Sequence, residues 1–106
     1  MFYTFRQNNS GGWLAKDHNF DQYVIIEAVD ADQANVRFLE LGPELSYCQC
    51  CGERWGDVYD GDGTEAPEIY GDPVNEYVPY GRNNNAAIVH YLDGHKDKIK
   101  FIKECL

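Results

Sequence analysis

The spacing of apolar and polar residues in the first third of the chain predicts strands. Residues 2–7 alternate between two faces, as a strand does, and the Asn- and Gly-rich run 8–12 predicts a reversal into a second strand at 13–15. Residues 23–29 are apolar almost throughout, which favours a strand near the centre of a sheet. The pattern therefore begins with a β-hairpin followed by a central strand.

One helix follows this central strand. Asp30 is suited to cap its N-terminus, with Gln33 three residues later in a capping-box pattern, and an apolar stripe runs from Ala31 to Leu41. Gly42 and Pro43 then predict its end.

Two further strands are predicted near the end of the sequence. Residues 86–92 and 96–102 should form a hairpin that turns at Asp93-Gly94, with three lysines of its second strand on one solvated face. A chain of 106 residues is enough for one domain, so residues 1–106 are expected to form a single domain. The order of elements predicts an α+β fold, in which one helix packs on a small antiparallel sheet.

The charge of the chain narrows the function classes. A net charge of −9 and a pI of about 4.5 disfavour binding to nucleic-acid backbone or to an anionic membrane. No apolar run approaches the roughly 20 residues that span a bilayer, and no signal-peptide pattern opens the sequence. We therefore expect a cytoplasmic protein with no nucleic-acid or membrane partner, in which cysteines are thiols or metal ligands.

Acidic residues are concentrated in one segment. Residues 57–76 contain seven acids and no Lys or Arg, and Gly and Pro punctuate them, which predicts a long surface excursion with few regular elements. Four tyrosines lie in or just after this segment: Tyr59, Tyr70, Tyr77 and Tyr80. Such a surface could dock on a basic protein, or mimic a nucleic acid in doing so. A charge run is also commonly a solvated face with no partner.

Two polar segments, each opened by an arginine, are candidates for a ligand site. Arg6 precedes Gln-Asn-Asn-Ser-Gly-Gly, and Arg82 precedes three asparagines. Their amides and glycine backbone could surround a phosphate or ribose, while neighbouring aromatics such as Tyr3 stack on a base. The alternative is that both segments are ordinary turns, because Asn and Gly are common turn residues. The predicted ligand-binding residues are Arg6, Asn8, Asn9, Ser10, Trp13, Arg54, Trp55, Arg82 and Asn84.

The cysteines carry a weaker signal. Cys48 and Cys51 form a single C-x-x-C-G, the shape of one zinc knuckle, but no second C-x-x-C completes a four-ligand site. Buried, metal-free thiols are therefore favoured over zinc, and no cofactor is expected. The sequence also lacks the G-x-S-x-G and H-E-x-x-H motifs, so we expect no enzymatic activity.

Three motifs together resemble a small family of uncharacterised phage-encoded proteins: FYTFRQNNSGG at the start, CQCCGERW at 48–55 and IYGDPV at 69–74. The resemblance implies a viral accessory protein that acts in the host cell cytoplasm, and it implies no catalytic residues. Such proteins often counter host defence. The expected function is to sequester a nucleotide-derived immune signal, at a homo-oligomer interface. The alternative is an acidic interaction protein that inhibits a basic host protein.

Overall fold

The computed structural model describes residues 1–7, 19–43, 47–48, 52–53, 55–76 and 86–100. Within these residues lie one α-helix, one short 3₁₀ turn and eight strands. In chain order they are β1 Phe2–Arg6, β2 Tyr23–Glu27, α1 Ala31–Glu40, β3 Tyr47–Cys48, β4 Gly52–Glu53, the 3₁₀ turn Asp60–Asp62, β5 Glu68–Ile69, β6 Asp72–Pro73, β7 Ala86–His90 and β8 Lys96–Lys100.

Four strands form the main sheet, in the order β1-β2-β7-β8, and one helix packs on it. The predicted α+β class is confirmed. The sheet is mixed rather than purely antiparallel, because its central strands β2 and β7 run parallel, with Ile25 beside Val89. Both central strands are buried on both faces, the environment in which parallel strands are usually found.

Helix α1 begins and ends where the sequence predicts. The Asp30 carboxylate accepts a hydrogen bond from the Gln33 amide at 2.9 Å, which satisfies one of the free N–H groups of the first turn. Ala34 and Phe38 are buried against the sheet, where the Phe38 ring stacks on Phe5 at a centroid distance of 4.3 Å. Gly42 follows the helix with φ of 80°, a backbone conformation that glycine adopts without strain.

The sheet has an apolar cluster on each face, and the acidic excursion contributes to both. Val58 of the excursion joins the cluster beneath α1, as does Trp55, which lies just before the excursion. Ile69 and Val74 pack on the opposite face, in a cluster that contains Ile25. The excursion therefore wraps around the β1 edge of the sheet and closes both cores, a stronger structural role than a surface loop usually has.

A buried carboxylate joins the starts of the two parallel strands. Asp21 Oδ1 accepts hydrogen bonds from the backbone N–H of Gln22 at 2.8 Å and of Ala86 at 2.9 Å. Gln7, which is also buried, donates from Nε2 to the Asp21 carbonyl oxygen at 3.2 Å. These bonds satisfy polar groups that the sheet removes from water.

The predicted C-terminal hairpin is confirmed over its described part. β7 and β8 pair antiparallel, and the turn between them contains Gly94 with φ of 99°. The three lysines of β8 are exposed, whereas Ile99 packs against the sheet's second core. The predicted strand at 13–15 lies outside the described residues, and the strand described beside β1 along its length is β2.

Candidate functional site

The candidate site is a cleft at the outer edge of β1, which we call the β1-edge cleft. Two isolated bridges fix the acidic excursion along this edge: Thr64 bridges Phe2, and Trp55, just before the excursion, bridges Gln7, just after β1. Between them the excursion has more residues than the strand opposite, so the two cannot pair continuously. The surplus forms the 3₁₀ turn Asp60–Asp62, and a cleft of about 440 Å³ remains beside β1.

Helix α1 holds the wall of this cleft in place. The Asn35 amide makes a reciprocal pair of hydrogen bonds to the Val58 backbone: Nδ2 donates to its carbonyl oxygen at 2.9 Å, and Oδ1 accepts from its N–H at 3.0 Å. Asp60 Oδ1 accepts from the Ala31 backbone N–H at 3.1 Å, at the start of the helix. The cleft is thus built against a fixed scaffold rather than between two loose loops.

One cation and several acids line the β1-edge cleft. Arg6 comes from β1, and no carboxylate among the described residues forms an ion pair with its guanidinium. Three acids also line it: Asp57, Asp62 and Glu68. Thr4 contributes a polar wall, and its hydroxyl donates to the Glu68 carbonyl oxygen at 2.8 Å. The lining therefore offers one cationic donor group and several anionic acceptors.

Tyr70 is an aromatic residue of the same cleft, and its backbone is unusual. It turns from β5 to β6 with φ of 51°, followed by Gly71 with φ of 85°. The left-handed region is unfavourable for a bulky side chain, at a cost of about 1–2 kcal/mol, whereas Asn or Gly adopts it readily. The residue is 69% exposed, and its ring meets that of Tyr23 edge-on at a centroid distance of 6.2 Å. The fold therefore maintains a strained turn that presents an aromatic ring at the cleft.

Trp55, a predicted stacking residue, belongs to the core. Only 5% of it is exposed, and its ring contacts Phe38 and Phe20 at centroid distances of 5.1 and 6.0 Å. Its indole Nε1 is buried with no hydrogen-bond partner among the described residues. Stacking of Trp55 on a ligand would require this core to open.

Of the predicted binding residues, only Arg6 and Trp55 lie in the part of the chain that the structure describes. The others lie outside it: Asn8, Asn9, Ser10, Trp13, Arg54, Arg82 and Asn84. Whether Arg6 and Arg82 share a pocket accordingly stays a prediction. The sequence reasoning did not single out Tyr70 as a ligand contact, or Asp57 and Glu68, because a Tyr-Gly pair in an acidic segment gives no distinctive signal.

The cysteine motif lies mostly outside the described residues. The backbone of Cys48 belongs to β3, whereas Cys51 falls beyond them. Within the described ranges, no group of three or more His, Cys, Asp or Glu side chains is arranged to hold a metal ion. Nor does any helix in those ranges have the length and apolar character that crossing a membrane requires.

The fold and the cleft define a small α+β protein with a concave site at one sheet edge, lined by apolar, aromatic and charged residues. A family model described as a domain of unknown function, DUF7296, matches residues 1–106, and the chain belongs to that family. No curated protein and no solved structure matches it.

Proposed function

We propose that this protein is a non-catalytic phage accessory protein that binds and sequesters a nucleotide-derived immune signal in the β1-edge cleft. The observation that carries the proposal is that Arg6 and Tyr70 line the same cleft, and that the fold keeps the Tyr70 backbone in a strained conformation. Strained residues that a fold maintains are concentrated at binding sites and active sites.

The chemistry of the lining specifies the ligand further. The Arg6 guanidinium suits a phosphate, and Tyr70 brings to the cleft an aromatic ring, the side-chain type on which bases stack. The carboxylates of Asp57, Asp62 and Glu68 accept hydrogen bonds from ribose hydroxyls or base amines. Among the described lining residues, three negative charges lie beside one positive charge, which disfavours a polyphosphate, so a nucleoside with a single or cyclic phosphate fits best.

The two Asn-rich segments remain part of the proposal. Asn8, Asn9 and Ser10 directly follow β1 and Arg6 in the chain, and Arg82 and Asn84 would add a second set of donors. A domain of this size encloses a large ligand most readily between two copies, which is why we place the complete site at a homo-oligomer interface. The site of action would be the host cell cytoplasm.

Thermal unfolding and calorimetry with a panel of cyclic mononucleotides, cyclic dinucleotides and ADP-ribose test this proposal. Tyr70→Asn is the informative variant, because Asn tolerates the left-handed turn but cannot stack. It should raise the unfolding temperature by roughly 4–8 °C. It should also weaken nucleotide binding about tenfold or more.

Tyr59 provides the matched control. It is 72% exposed, it lies in the same excursion, and it is not part of the cleft lining. Tyr59→Ala should therefore leave nucleotide affinity unchanged. If no nucleotide of the panel stabilises the protein, or if Tyr70→Asn binds as tightly as the parent protein, the proposal is wrong.

A second candidate function is docking on a basic host protein, and the exposure of the acidic excursion favours it. Six of its seven acids are exposed, all except Glu68, which is half-buried. Some of the exposed acids support the fold: Asp60 bonds to the start of α1, and Asp62 Oδ2 accepts from the Tyr59 N–H at 2.8 Å. Glu65 and Asp72 make no side-chain hydrogen bond among the described residues, so they are available to a partner.

A charge-matched pair of double variants tests docking. Glu65→Gln with Asp72→Asn removes two charges from the excursion, and Asp32→Asn with Glu40→Gln removes two charges from helix α1. The excursion variant should no longer capture a basic host protein, whereas the helix variant should capture it as the parent protein does. High salt should abolish capture by the parent protein. Equal capture by both variants would refute docking through the excursion.

A further inference from the structure

A second cleft, which we call the α1–β7 cleft, has no described lining residue in common with the β1-edge cleft. It has a volume of about 400 Å³ and lies between helix α1 and the carboxyl ends of the parallel strands β2 and β7. The carboxyl ends of parallel strands are a common location for ligand sites in α/β sheets. Its lining includes Asp32, Val36, Arg37, Glu40, His90 and Leu92.

His90 lines this cleft, and one of its two ring nitrogens is bonded to Asn19. Only 4% of the residue is exposed, and its Nε2 lies 2.9 Å from the Asn19 carbonyl oxygen. Because a carbonyl oxygen only accepts, Nε2 carries the proton and Nδ1 keeps its lone pair. Among the described residues Nδ1 has no hydrogen-bond partner.

The surroundings of His90 favour its neutral form. Burial lowers the pKa of its imidazole, and the positive charges of Lys96 and Arg37 lower it further, although the Asn19 carbonyl acts in the opposite direction. A neutral ring with Nε2 protonated presents Nδ1 as an acceptor at pH 7.

The walls and rim of the cleft indicate what it would accept. Val36 and Leu92 are 59% and 64% exposed, an apolar surface on either side of the opening. Among the described residues, the cleft is also lined by three acids, Glu27, Asp32 and Glu40, and by one cation, Arg37. An apolar body therefore fits the walls, and a donor group fits both His90 Nδ1 and the acidic rim.

We propose that the α1–β7 cleft binds a small apolar amine, whose N–H donates to His90 Nδ1 and whose apolar body packs between Val36 and Leu92. This proposal is independent of nucleotide binding at the β1-edge cleft. The opposite polarity, an apolar carboxylate, would bring an acceptor against an acceptor and a negative charge against the acidic rim.

Three probes that share one ring system distinguish these polarities: tryptamine, indole and indole-3-propionate. In an NMR titration, tryptamine should shift the amide signals of residues 26–28 and 90–92 and the His90 Nδ1 resonance. Indole should shift the same signals less, and the carboxylate should bind at least about tenfold more weakly than tryptamine. The proposal is overturned if no probe shifts these signals, or if the carboxylate binds as tightly as the amine.

Two variant comparisons locate the binding. In His90→Gln the side-chain amide nitrogen can replace Nε2 as donor to Asn19, while the Nδ1 acceptor is lost. Tryptamine affinity should fall about five- to tenfold. Val36→Lys should abolish binding, whereas Leu39→Lys should not, since both residues are 59% exposed on the same helix and only Val36 lines the cleft. Unchanged affinity in Val36→Lys refutes the site even if His90→Gln fails to fold.

Discussion

The paired hydrogen bonds between Asn35 and Val58 should be a measurable part of the protein's stability. Asn35→Ala removes both bonds, which contribute about 1 kcal/mol each. Alanine is the better helix former by about 0.6 kcal/mol, so the net loss of unfolding free energy should be about 1.4 kcal/mol. For a domain of this size the unfolding temperature should fall by roughly 5–10 °C.

Asn35→Asp separates the donor half of this pair from the acceptor half. The carboxylate can still accept from the Val58 N–H, but it cannot donate to the Val58 carbonyl and instead places a negative charge against it. Aspartate also lacks the helix-forming advantage of alanine. The expected order of stability is therefore Asn, then Ala, then Asp.

Thermal unfolding and amide hydrogen exchange at Val58 measure these effects together. The Val58 amide should lose protection in Asn35→Ala and retain part of it in Asn35→Asp. Gln33→Ala is the control, because Gln33 is an exposed amide on the same helix whose side chain makes no hydrogen bond among the described residues. The reasoning is refuted if Asn35→Ala leaves both the unfolding temperature and the Val58 exchange rate unchanged.

Substitutions at three further positions test the core and its titration. Asp21→Ala should lower the unfolding free energy by roughly 3–4 kcal/mol, because two backbone N–H groups lose their acceptor. Asp21→Asn should lower it by less. Urea denaturation measures both losses, and equal losses would contradict the account. Gly63→Ala would place a Cβ 3.0 Å from Tyr3 Cζ, so thermal unfolding should reveal a loss of about 1–3 kcal/mol. The pKa of His90 is lowered from 6.5 in the folded state, so below about pH 6.5 the unfolded chain takes up more protons than the folded protein. The free energy of unfolding should therefore decrease between pH 7 and pH 5. Unfolding curves at these two pH values should show a smaller decrease for His90→Gln, which lacks the imidazole.

Elements with strong local signals were predictable from the sequence. The Asp30 cap, the stripe ending at Leu41 and the Gly42 stop all predicted helix α1, and the structure confirms them. The Asp93-Gly94 turn likewise predicted the β7–β8 hairpin. In each case the controlling interactions lie within a few residues of one another, so the sequence pattern contains them.

The arrangement of these elements depends on distant contacts and was less predictable. Continuous apolar runs in β2 and β7 were visible, but the parallel pairing of Ile25 with Val89 follows from the whole topology. The β1-edge cleft forms between two bridges, because Trp55 and Thr64 are farther apart in the sequence than their bridge partners Gln7 and Phe2. The left-handed Tyr70 could not be anticipated, because its residue type argues against that conformation.

The parallel contact between β2 and β7 also has a consequence for folding kinetics. This contact brings together Asp21 and Ala86, which are 65 positions apart in the chain. Pairing β2 with β7 therefore closes a long loop, at a cost in conformational entropy. The β7–β8 hairpin can form locally, whereas its docking onto β2 should be slow and late. During synthesis, one edge of β2 would stay unpaired until β7 has been made, and that interval is when the protein is most exposed to aggregation.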